Sequence, residues 1–131
     1  MYSDLFVATP GEAPLVASVE ERFARWHSVS LKDVLELEWM AFAKAARTDV
    51  FEEPLVEERS CVVRPMTHHV LQRLATHDAA QRRTLAEAWK AEADTFSQWP
   101  VEAVERVVTE LEDLARRASR EGKAVLYLAT W

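Results

Sequence analysis

Between Val101 and Ala118 the apolar residues return at every third or fourth position: Val101, Val104, Val107, Val108, Leu111, Leu114, Ala115 and Ala118. That period places them on one stripe of an α-helix, and Pro100 suits its opening because a missing N–H costs nothing in a first turn. Glu102, Glu105, Arg106, Glu110, Asp113, Arg117 and Arg120 fall on the other face. Its acids lean to the start and its bases to the end, as the helix dipole favours. The predicted helix is about 33 Å long at about 1.5 Å per residue. Gly122 then stands where a left-handed C-cap is wanted, and Ala124 to Trp131 is apolar on both alternating faces. This run predicts an interior strand, covered on two sides.

The rest of the chain alternates between the same two periods. Tyr2 to Ala8 predicts a first strand, ended by Thr9-Pro10-Gly11. Leu15, Val16, Val19, Phe23 and Trp26 share one face of a helix begun near Pro14, since that proline would clash inside a helix begun at Thr9. Ser30 with Asp33 predicts the cap of the next helix, which turns Leu31, Val34, Leu35, Trp39, Phe42 and Ala46 toward the core and stops at Arg47-Thr48-Asp49. Phe51 to Ser60 reads as a loop, and Cys61-Val62-Val63 as a short strand ended by Pro65. Thr67 caps a brief helix through Val70, Leu71 and Leu74, and Asp78 with Gln81 caps another through Leu85, Trp89, Ala93 and Phe96. The sum is an α+β fold over residues 1–131, one globular domain of about five helices packed on a small sheet. Its strands, about three, are N-terminal, middle and C-terminal, with the first and last side by side.

Composition narrows the class of function. With 49% hydrophobic and 29% charged residues in 131, the chain is neither disordered nor membranous, and no secretory signal opens it. A single cysteine, Cys61, leaves no intrachain disulfide and no four-cysteine zinc site, so a reducing, cytoplasmic setting is expected. A formal charge of −6, with no basic run longer than Arg82-Arg83 or Arg116-Arg117, disfavours nucleic acid and anionic membranes. It favours a basic protein partner.

Familiar catalytic signatures are missing. Only Gly11 and Gly122 exist, so phosphate-cradling loops and the nucleophile elbow lack their glycines. His68 and His69 diverge by about 100° on a helix, which suits polar surface residues better than a shared metal, and His27 and His77 match no metal spacing. No metal or cofactor is expected. Cys61 reads as a small buried hydrophobe, although a nearby base would make its thiol a nucleophile. Glu38, beside the apolar Trp39, is either a solvated boundary residue or, if buried, an acid–base group lining a pocket with that indole. Glu52, Glu53, Glu57 and Glu58 form the densest charge, either an ordinary solvated loop or a docking surface for a basic partner. Of five tryptophans, Trp26, Trp39 and Trp89 lie on apolar stripes; Trp99 and Trp131 read first as core and otherwise, as the pair best placed for partial exposure, as lining a groove or an oligomer contact.

Leu37-Glu38-Trp39-Met40-Ala41-Phe42, followed by Arg47-Thr48-Asp49 and Pro54-Leu55, resembles the first helical signature of the bacterial YfbM-like family of unknown function. The tail from Ala115 through Gly122-Lys123-Ala124-Val125-Leu126 is similar to that family's closing helix, glycine and apolar strand. The resemblance implies a small α+β fold and no activity. These observations together point to a non-enzymatic binding protein of the immunity or antitoxin kind, masking a basic partner, with Glu52, Glu53, Glu57, Glu58 and Trp99 as the binding residues. A small-molecule or enzymatic domain with its pocket at Glu38 and Trp39 is the alternative, and a homo-oligomeric structural module is a third.

Overall fold

The computed structural model describes residues 2–131. Five strands form one antiparallel sheet: β1 (Tyr2–Ala8), β2 (Ser28–Lys32), β3 (Val56–Glu57), β4 (Cys61–Pro65) and β5 (Ala124–Thr130), in the order β2-β1-β5-β4-β3. The doubly apolar closing run is the central strand. It pairs with β1 on one side, Asp4 facing Leu128 and Ala8 facing Ala124, and with β4 on the other, Cys61 facing Thr130. The first and last strands are neighbours, as expected.

Alternation along these strands splits the core in two. Leu5, Val7 and Val125 face a cluster built with α3 (Glu36–Ala46), α4 (His68–Ala75), α5 (Ala79–Glu92) and α6 (Val101–Glu121). Phe6, Ala8, Val63, Leu126 and Leu128 face the other way, onto α1 (Ala13–Ser18) and the buried Trp26 that follows α2 (Arg22–Arg25). The sheet is therefore the middle of three layers. Gly122 caps α6 with φ +64°, the left-handed geometry that only glycine adopts without strain, and its neighbour Lys123 donates back to the Ala118 carbonyl. Removing residues 126–131 takes out a strand bonded on both edges and covered on both faces, so the truncated chain is expected to be insoluble or to lose its cooperative melt. A soluble truncation with a sharp thermal transition would contradict that placement.

Among the described residues, six α-helices and five strands exceed the expected five and three, and each difference has a local cause. Ser28–Lys32 pairs with β1 as an edge strand rather than opening a helix; Asp33 turns the chain at φ 61° and helix α3 begins only at Glu36. Ser30 uses its hydroxyl across the ladder, donating to the Asp4 carboxylate at 2.8 Å instead of capping. The helix expected from Pro14 to Trp26 is broken at Val19, which is extended, and Trp26 lies beyond its second piece in extended backbone. Phe51 to Ser60 is not a free loop either: Glu52, Leu55 and Glu58 donate their N–H groups to Pro65, Val63 and Cys61, laying the segment along β4.

Glu12 ties this N-terminal layer together. It ends a single 3-10 turn, Pro10–Glu12, and accepts from the Thr9 N–H at 2.9 Å and the Trp26 indole N–H at 3.1 Å. Both donors favour the carboxylate and hold its pKa below the ordinary 4.5, the Thr9 backbone contributing most. A folded-state pKa lowered in this way contributes stability above 4.5 that is lost as pH falls through the folded value. E12Q is therefore expected to melt lower than wild type at neutral pH, with the gap closing in acid. Melting curves of the pair that stayed parallel into acid would contradict it.

Candidate functional site

The acidic segment forms one edge of the sheet. Glu52, Glu53, Glu57 and Glu58 are all exposed, and none of the four pairs with a cation among the described residues. Pro54 and the carboxylates suit an edge, where a missing donor is harmless and charge discourages unwanted strand pairing. Leu55, 44% exposed, sits among them. Arg64 crosses beneath, its Nε donating to the Glu52 carbonyl at 2.9 Å.

Register brings a fifth side chain to this edge. Because Cys61 faces Thr130 across the β4/β5 ladder, the next residue, Trp131, arrives at the turn that connects β3 to β4. Its backbone N–H donates to the Ser60 carbonyl and its indole N–H to the Arg59 carbonyl, both at 3.0 Å. The residue is nonetheless 72% exposed. An indole fixed by two hydrogen bonds at the turn that carries Glu58 and Arg59 adds a π face to the acidic edge, and π faces and negative charge are the two features that attract Lys and Arg side chains. The molecule already makes one such contact internally, the Arg25 guanidinium lying 4.9 Å from the centre of the Trp26 ring.

The other expected binding residue lies elsewhere. Trp99 is half-buried, its ring 4.6 Å from that of Phe96, and packs on the helical side of the sheet. It belongs to the core there and not to the acidic edge, which reaches the opposite cluster through Val56.

The pocket expected at Glu38 and Trp39 is filled by protein. Trp39 is 4% exposed, its ring within about 6 Å of Phe42, Phe51, Trp89 and Tyr127, and its indole N–H donates to Ser3 Oγ at 2.9 Å. Glu38 is buried as well, but as a cap. Its Oε1 accepts the Leu35 N–H at 2.9 Å, satisfying an opening donor of α3, and its carbonyl takes the Trp89 indole N–H at 2.8 Å. Those bonds leave no space for a ligand against the indole. Cys61 is buried too, and burial, followed by the Glu58 carboxylate, pushes its thiol pKa up, away from a reactive thiolate.

One charged constellation has no counterpart in the expectations. Glu112 is fully buried on α6, accepting from Arg82 Nε at 2.8 Å and lying 2.9 Å from His77 Nδ1. Arg116 stands 4.0 Å away and spends its donors on the Ala75 and His77 carbonyls, which closes the α4–α5 connection over α6. The signal was present in the sequence: Glu112 lies four residues after Val108 and three before Ala115, an acid on the apolar stripe. Among the described residues no three His, Cys, Asp or Glu side chains gather to hold a metal ion, and no helix is long and apolar enough to cross a membrane. Set against known proteins, the chain matches no family model, no curated sequence and no solved structure.

Proposed function

We propose that this chain is a non-enzymatic cytosolic binding protein, of the immunity or antitoxin kind, that covers a basic surface of a protein partner with its acidic sheet edge. The observation that carries the reading is Trp131 held on the β3–β4 turn, at a sheet edge whose four carboxylates make no ion pair among the described residues. A free surface of that kind offers a partner's Arg or Lys both stacking and charge without first breaking an internal ion pair, and its field speeds encounter with a positive face. The exposed Leu55 supplies the apolar contact that a purely acidic patch lacks.

The test uses affinity capture from the native host at low and high salt, with wild type and with the quadruple variant E52Q/E53Q/E57Q/E58Q. A stoichiometric basic partner is expected with wild type, weakened by salt because exposed charges are screened beyond a Debye length, and lost with the variant. No stoichiometric partner, or one insensitive to both salt and the substitutions, would overturn the reading.

A further inference from the structure

A cleft of about 800 Å³ opens between α4 and the last turns of α6, far larger than the cavity of about 10 Å³ behind His77. Its size lies in the range of about 300–1,000 Å³ typical of small-molecule sites. The floor is apolar, built from Leu71 and Ala118, and the walls carry His68, His69, Arg73 and Lys123. No carboxylate lines it, although the chain carries a net charge of −6. The cleft thus presents cations in a chain that is acidic as a whole.

Of these cations Lys123 is only loosely engaged within the protein. Lys123 Nζ is 3.4 Å from Glu121, a pair about one-third exposed on both sides, and such surface pairs yield readily to a competing anion. Arg73 is engaged differently, donating Nη1 to the Ala46 carbonyl at 2.7 Å, which ties its guanidinium to the end of α3. The floor is small by composition, since Ala115 and Ala118 on α6 leave the space that larger residues would fill.

We propose that this cleft binds a small amphiphilic anion, a medium-length apolar chain lying on the Leu71/Ala118 floor with one anionic head at Lys123. The site is separate from the acidic edge and does not depend on the partner reading.

Sodium decanoate below its micellar concentration is the probe, with decyltrimethylammonium as the matched cation, each titrated into the full chain and followed by amide chemical shifts and calorimetry. Decanoate is expected to shift amides of α4 and of residues 115–123 in a saturable way, with the ammonium several-fold weaker. K123Q should weaken decanoate about 3-fold or more, as loss of one close charge near water implies. S119W, which fills the cleft from an exposed position, should abolish the shifts while the melt is retained. Equal binding of the two detergents, decanoate shifts confined to residues outside the cleft, or no saturable binding by either would overturn the proposal. Were S119W to unfold, the charge preference and K123Q would still decide it.

Discussion

Replacing Trp89 with alanine is expected to cost about 4 kcal/mol, the largest loss that any single side chain of this protein offers. Trp89 is fully buried at the meeting of α3 and α5, its ring 4.9 Å from Phe42, 5.0 Å from Phe96 and 5.9 Å from Trp39. Truncation removes those edge and stacking contacts, opens a cavity in the aromatic cluster, and leaves the Glu38 carbonyl without its 2.8 Å donor. Domains of this size hold together by about 5–15 kcal/mol, so the variant should sit near its folding threshold and melt about 15 °C lower. W89F separates the two contributions: it keeps most of the packing and loses the indole donor, for about 1–3 kcal/mol. Urea unfolding followed by far-UV circular dichroism measures both. A W89A loss under about 1 kcal/mol would mean that the aromatic cluster is not the centre of the helical layer.

The second large effect is electrostatic. E112A is expected to destabilise by about 3 kcal/mol, because it strips the fully buried carboxylate from between Arg82 and His77 and leaves His77, with its side chain only 7% exposed, facing a void. E112M should cost clearly less, about 1 kcal/mol, since its volume fills the void and the Arg82 side chain, 26% exposed, has a route to water. The ordering is what matters. If E112M were as damaging as E112A, the charge network would be contributing more than filled space, and a stabilising role for the ion pairs themselves would follow.

Elements whose period is long and whose ends are marked locally were legible in the chain. α6 announced itself through a continuous stripe and Gly122, α5 through Asp78 and Gln81, whose side chains each accept the other's backbone N–H, and α4 through Thr67, whose hydroxyl accepts the Val70 N–H at 3.4 Å. Strands whose existence depends on a neighbour were not. Ser28–Lys32 has five residues with a helix-cap signature inside it, and only the ladder offered by β1 decides the outcome. Val56–Glu57 is two residues long, one of them an acid, with Pro54 two positions before it, so nothing local favours pairing; the carbonyls of β4 do.

The candidate site divides along the same line. Exposure of Glu52, Glu53, Glu57 and Glu58 follows from their charge and was readable. The company they keep was not, because Trp131 reaches Arg59 across 72 positions of sequence through the β4/β5 register alone. Burial of Glu38 was weighed in the sequence, but its role as a cap depended on where α3 starts, and that start moved from Leu31 to Glu36. Trp99, expected at the partner surface, follows Phe96 into the helical layer through the turn in which its N–H donates to the Phe96 carbonyl at 3.0 Å.

The most direct measurement of the central claim is a titration of the labelled protein with a short arginine-rich peptide, read by amide and indole N–H resonances. The largest shifts are expected on residues 52–60 and on the Trp131 indole N–H, and W131A is expected to weaken binding with the fold intact. Shifts spread evenly over surface carboxylates, with the Trp131 indole unmoved, would contradict it.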